Sequence, residues 1–169
     1  MDGFLEALVG SREISTAEPY SLFGRLVGEW DFEHVSGRGT DRERHVPGEW
    51  IFSWILDGKV MQDLFICPSR RERLTNPQPD AAYGTAVRFY NHEKQKWDVC
   101  YGCDGKMRVL EAEPVGDDIV LTRKDLTDCI NQWMFTEITP VSFHWLSRIS
   151  TDGGKTWVVD EDVYAIRRV

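Results

Sequence analysis

Leu26-Val-Gly-Glu-Trp-Asp-Phe-Glu-His-Val-Ser36 is the stretch that decides the fold. Trp30, Phe32 and His34 alternate with Glu29, Asp31 and Glu33, so one side is aromatic and the other acidic. A period of two is the pattern of a half-buried strand; a helix would repeat its apolar residues three and four apart. Working outward, the alternation recurs. Trp50, Phe52 and Trp54 share a face over Gly48 to Leu56. Further strands are predicted over Lys59 to Cys67, Tyr83 to Tyr90, Lys96 to Gly102, Lys106 to Ala112, Ile119 to Lys124, Asn131 to Glu137, Val141 to Ser150 and Thr156 to Arg168. Turn signals separate them, among them Asp57-Gly58, Asp104-Gly105, Gly116-Asp117 and Asp152-Gly153-Gly154, spaced as in an all-β meander.

Ten sequential antiparallel strands have an edge problem. An open sheet would leave two edges unpaired and one apolar face wet, whereas closure into a barrel removes both. A β-sandwich is the competing solution, but its crossovers need long loops, and only residues 68–80 form one. The expected fold is therefore all-β: a single ten-stranded antiparallel up-and-down barrel over residues 26–169, with an interior wide enough for a small ligand. Residues 1–25 read as a helical or irregular lead-in, with weak helical character over Gly3 to Val9 and a short helical turn at Pro19 to Phe23. The loop 68–80, with three prolines, has the length of a functional lid.

Composition narrows the function. The net charge of −8 lacks the basic surface that nucleic acids or anionic membranes require. No apolar run is long enough to span a bilayer, and Met-Asp-Gly-Phe-Leu-Glu carries an acid where a secretion signal has a base. The expected compartment is cytoplasmic, and the four cysteines are expected as reduced thiols.

Gly28-Glu29-Trp30 at the start of the first strand, after a short helical turn, resembles the calycin superfamily of lipocalins and fatty-acid-binding proteins. That resemblance implies a Trp plugging one barrel end with an Arg of the last strand packed across it, here Trp30 with Arg167 or Arg168. The two-helix lid of the fatty-acid-binding branch does not fit between the first two strands. Leu26-Val-Gly-Glu-Trp30, Leu56-Asp-Gly-Lys59, Tyr83-Gly-Thr85, Arg88-Phe-Tyr90 and Ser150-Thr-Asp-Gly-Gly-Lys-Thr-Trp157 are more closely similar to uncharacterised bacterial lipocalin-like domains. This implies a fold and a cavity but no reaction. Ten-stranded barrels that hold haem imply an axial His, but nothing singles out one of His34, His45, His92 and His144, and no cofactor is assigned.

Several residues are candidates for a site. His34 shares the inward face of Trp30 and Phe32; it is either a hydrogen-bonded core histidine or a group that orients a ligand. Asp63 and Arg88 interrupt neighbouring apolar strands. They form a buried pair if both point inward and are solvated if they point out, and register decides which. Glu111, Arg148 and Glu161 raise the same question, and an inward Arg148 could hold a carboxylate through its planar fork. Trp50, Trp54, Tyr101, Trp133, Phe52 and Trp145 are expected as apolar walls.

Other motifs have structural readings. Ser150 to Trp157 matches the Asp-box, read as a hairpin in which Asp152 caps backbone N–H groups. Cys100-Tyr-Gly-Cys103 is a lone pair whose members face opposite sides of a strand, so no metal is assigned. Arg70-Arg-Glu-Arg73 reads as a solvated loop.

Three functions remain open: binding of a small hydrophobic or amphipathic ligand; an isomerase, cyclase or lyase acting on such a molecule through His34, Asp63 and Arg88; or a filled barrel acting through its surface as an interaction module. A homodimer is compatible with each.

Overall fold

The computed structural model describes residues 3–10 and 17–169. It is a closed barrel of ten antiparallel strands in up-and-down order. The strands are β1 (Gly28–Ser36), β2 (Arg44–Ile55), β3 (Val60–Cys67), β4 (Ala82–Asn91), β5 (Lys96–Cys103), β6 (Lys106–Val115), β7 (Asp118–Arg123), β8 (Ile130–Thr136), β9 (Ser142–Ser150) and β10 (Val158–Arg167). Each pairs with its sequence neighbours, and β1 pairs with β10 from Trp30↔Arg167 to Ser36↔Glu161. No strand is left with an open edge, so no sandwich forms.

Two short helices precede the barrel, α1 (Gly3–Val9) and α2 (Ser21–Gly24). Of the expected lead-in, residues 1–2 and 11–16 lie outside the described residues. No helix among the described residues is long and apolar enough to cross a membrane.

Two strands run well past their expected ends: β6 continues three residues past Ala112 to Val115, and β2 gains more at its start. β2 begins at Arg44, four positions before Gly48, and runs through Pro47. These residues pair with the far end of β1, from Glu33↔Pro47 to Ser36↔Arg44. Gly48 also has a packing role. A Cβ there would collide with the Phe32 ring and approach the Ile66 carbonyl, so its lack of a side chain lets that ring cross the interior.

The barrel ends differ. At one end α2 lowers Phe23 into the opening beside Leu26, both with no exposed surface. Phe23 packs edge-on against Trp97 at 5.2 Å between ring centroids. Trp30, also fully buried, donates its Nε1–H to the Leu26 carbonyl at 2.8 Å and lies against Phe143 at 4.7 Å. The Arg167 guanidinium sits 4.0 Å from the Trp30 ring centroid and donates to the Val27 and Pro140 carbonyls at 2.6 Å each. Burying each such ring stabilises the fold by roughly 1.5–3 kcal/mol relative to leaving it exposed. Arg168, one position on, points outward and pairs with Glu29 and Asp31. Alternation along β10 thus separates the ring-covering arginine from the surface one.

Candidate functional site

Above this closed floor the barrel is hollow. A cavity of ≈ 420 Å³ opens at the other end, within the range typical of small-molecule sites. Its walls are aromatic. Trp133 touches Tyr101 at 5.4 Å and Trp145 at 5.8 Å, and Trp50 touches Phe65 at 4.9 Å between ring centroids. These residues stand on five strands because each occupies an inward position of a period-two stripe.

Asp63 and Arg88 both point inward at the base of the hollow. Arg88 Nη2 donates to Asp63 Oδ2 at 2.5 Å, and Ala86 N–H donates to Asp63 Oδ1 at 3.2 Å. Their side chains are 1 % and 2 % exposed, so the pair is nearly sealed from the cavity it borders. Arg88 Nε and Nη1 have no hydrogen-bond acceptor among the described residues. Instead the guanidinium carbon lies 5.0 Å from the Phe23 centroid and 5.6 Å from that of Phe52. The ring faces stand in for acceptors.

His34 also lines the cavity, near the mouth, with Nε2 3.4 Å from Glu161 Oε2. It does not join Asp63 and Arg88. Along β2, His34 is level with Val46 and Asp63 with Phe52, six residues apart and roughly 20 Å along the strand. The expected convergence of His34, Asp63 and Arg88 is therefore absent.

Trp50, Tyr101 and Trp133 line the cavity. The Tyr101 hydroxyl is pushed up from its ordinary value by burial and by Cys103, so it stays protonated. Two expected ligand contacts need correcting. Trp54 points inward but sits below the hollow, edge-on to Tyr20 at 6.1 Å, because β2 ends at the closed floor. Arg148 lies on the outer wall. It donates to Gln132 Oε1 and covers the Trp157 ring at 4.1 Å, because Trp145, Ser147 and Ile149 take the inward positions of β9.

Other groups at the site were not singled out from the sequence. Asn131 donates to Ser147 Oγ at 3.0 Å, and the Ser147 hydroxyl meets Asp160. Lys106 and Arg108 line the mouth. Continuing the inward stripe of β6 outward from Ala112 and Leu110 would have found both.

The long loop is tied down on β2 at both ends. Glu49, 3 % exposed, accepts from Arg70 N, Nε and Nη2 at 2.7–2.8 Å. This holds its carboxyl down at about 2. At the other end Arg44 grips the Asp80 carboxylate through two nitrogens. The basic run is thus partly used in structure: Arg70 clamps Glu49, and Arg73 covers the Tyr83 ring at 4.7 Å. In the Asp-box hairpin, Asp152 accepts from Lys155 N, Thr156 N and the Ser150 and Thr156 hydroxyls, which lower its carboxyl pKa. All four cysteines are free; Cys100 faces out, while Cys103 lines the mouth.

No family model matches the chain, and no curated protein matches it in sequence. Solved structures do match in shape. The S-type phycobiliprotein lyase CPES from Guillardia theta superposes with a TM-score of 0.59 at 15 % identity, over 88 % of this chain and 92 % of that one. Rv2717c from M. tuberculosis superposes with a TM-score of 0.56 at 10 % identity, over 90 % and 99 %. The shared element is the ten-stranded calycin-like barrel.

Proposed function

We propose that the barrel binds one small molecule with an apolar, ring-bearing body, inserted between the aromatic walls with its polar end at the mouth. The observation that carries this reading is the hollow itself. The floor is packed solid, yet ≈ 420 Å³ remains between Trp50, Trp133 and Trp145. Void lined by apolar surface forfeits packing contacts, so an occupant restores what the empty fold lacks. The resemblance of its short motifs to bacterial lipocalin-like domains agrees with this reading, and one structural neighbour bears the name of a lyase on a barrel of this shape.

Native mass spectrometry of the purified protein tests it. The expected result is a mass increment of a few hundred daltons that is lost on denaturation. Bare protein that also fails to take up neutral aromatic compounds would contradict the proposal.

A second reading, an enzyme of isomerase, cyclase or lyase type, draws on the approach of His34 to Glu161 at the mouth. A carboxylate beside an imidazole suits proton transfer at a bound molecule. If a turnover is found, His34→Gln should abolish it while leaving the affinity for the molecule within about threefold. An unchanged rate would remove His34 from the chemistry.

A further inference from the structure

The inward stripes of the strands change character between floor and mouth, and on three strands they end in charge. On β6 the stripe runs Ala112, Leu110, Arg108, Lys106; on β7 it runs Ile119, Leu121, Arg123. On β10 it runs Ala165, Val163, Glu161. A register shift between Val159 and Glu161 makes Asp160 an extra residue, and it also lines the cavity. The signs are opposite: cations on β6 and β7, anions on β10.

Strand order separates the two groups. Going around the barrel, β10 is followed by β9, β8, β7 and β6, so β10 and β6 are nearly opposite. The stretch between them is neutral, supplied by Ile149, Ser147 and Asn131. Some mouth charges are already neutralised. Arg123 is held by Asp125 and Asp80 by Arg44. Lys106 and Arg108 are not paired in this way: among the described residues neither has a carboxylate within ion-pair distance, Arg108 gives one N–H to its neighbour's carbonyl, Met107 O, and the Asp125 carboxylate that it feels at longer range is already held by Arg123. Across the mouth, among the described residues, Glu161 pairs with His34, at 3.4 Å, and Asp160 has the Ser147 hydroxyl.

We propose that the polar end of the ligand is zwitterionic, with its anionic group toward Lys106 and Arg108 and its cationic group toward Glu161 and Asp160. This rests on the binding reading above and names the class of molecule. A head of one sign gains on one side of the mouth and is repelled on the other; a head carrying both signs gains on both. The mouth thereby selects by charge pattern, while the aromatic walls accept any body of suitable size.

Three probes with one apolar chain separate the possibilities: N-decyl betaine, decanoate and decyltrimethylammonium. Each is titrated at low salt, near neutral pH and below its micellar concentration, and is followed by the fluorescence of the tryptophans in the cavity wall. The betaine should bind at least about tenfold tighter than either singly charged probe. In Lys106→Glu/Arg108→Glu the mouth becomes acidic on both sides, and decyltrimethylammonium should become the tightest of the three. If that variant fails to fold, Lys106→Gln/Arg108→Gln should bring the betaine down to the affinity of the cationic probe. Three wild-type affinities within about twofold, or a singly charged probe binding tightest, would overturn the zwitterionic ligand and leave cavity binding standing. Failure of all three probes to bind would overturn both.

Discussion

The closed floor and the open mouth of this barrel are built from the same alternating strands, yet they solve opposite problems. At the floor the inward rings pack on one another: Trp30 has Leu26, Phe143 and Arg167, and Phe23 has Trp97. At the mouth the inward stripes end in Lys106, Arg108, Asp160 and Glu161, and space is left between them. The floor is where apolar burial holds the fold together, and at the mouth charge and open space take its place. The Asp63–Arg88 pair marks the boundary, facing the hollow but sealed against the floor rings.

The largest effect should therefore come from the floor. Trp30→Ala should cost roughly 3–5 kcal/mol in denaturant unfolding, the usual penalty for truncating a large core aromatic. A loss below about 1 kcal/mol would mean that the two ends do not differ in this way. At the boundary, Asp63→Ala should cost about 3 kcal/mol because it strands a buried guanidinium, whereas Asp63→Leu/Arg88→Met should return to within about 1 kcal/mol of the parent. If the double variant is as unstable as the single one, the pair does more than satisfy its own charges.

The loop clamp should matter less and only above acid pH. The Glu49 carboxylate is favoured in the folded state, its pKa falling from 4.5 to about 2. Its contribution is thus complete above the ordinary value and fades as pH drops through about 2. Glu49→Gln should be less stable than the parent by about 1 kcal/mol near neutrality, a modest figure because Arg70 is half exposed. The gap should close between pH 5 and pH 2. A gap that stays constant with pH would show that charge is not its source. Smallest of all should be Arg148→Ala on the outer wall. Probe affinity should stay within about twofold and stability within about 1 kcal/mol, since only two hydrogen bonds to one Gln132 oxygen and one cation–π contact on the outer wall are lost. A large drop in probe affinity would place Arg148 at the site after all.

How much of this was legible depended on the contrast between a strand's two faces. β1 announced itself because Trp30, Phe32 and His34 stand against three acids. The Trp30–Arg167 contact followed from the family resemblance, although only the structure chose between Arg167 and Arg168. Arg148 could not be placed, because β9 mixes the two faces: Leu146 lies outside beside it while Ser147 lies inside. Asp63 and Arg88 depended on register, which sequence leaves open when charges sit inside apolar runs. The bulge at Asp160 was invisible for a related reason. An inserted residue breaks the very period used to read the strand. Trp54 was read correctly as inward, but facing inward does not tell which end of the barrel a residue occupies.

The most direct measurement is a titration with neutral 1-aminoanthracene of the parent and of Ala86→Phe, a substitution that projects a ring into the hollow from β4. An accessible interior predicts saturable one-to-one binding by the parent, and at least about tenfold weaker binding by a variant that keeps its fold. Equal binding by both proteins, or none by the parent, would contradict a ligand chamber inside the barrel.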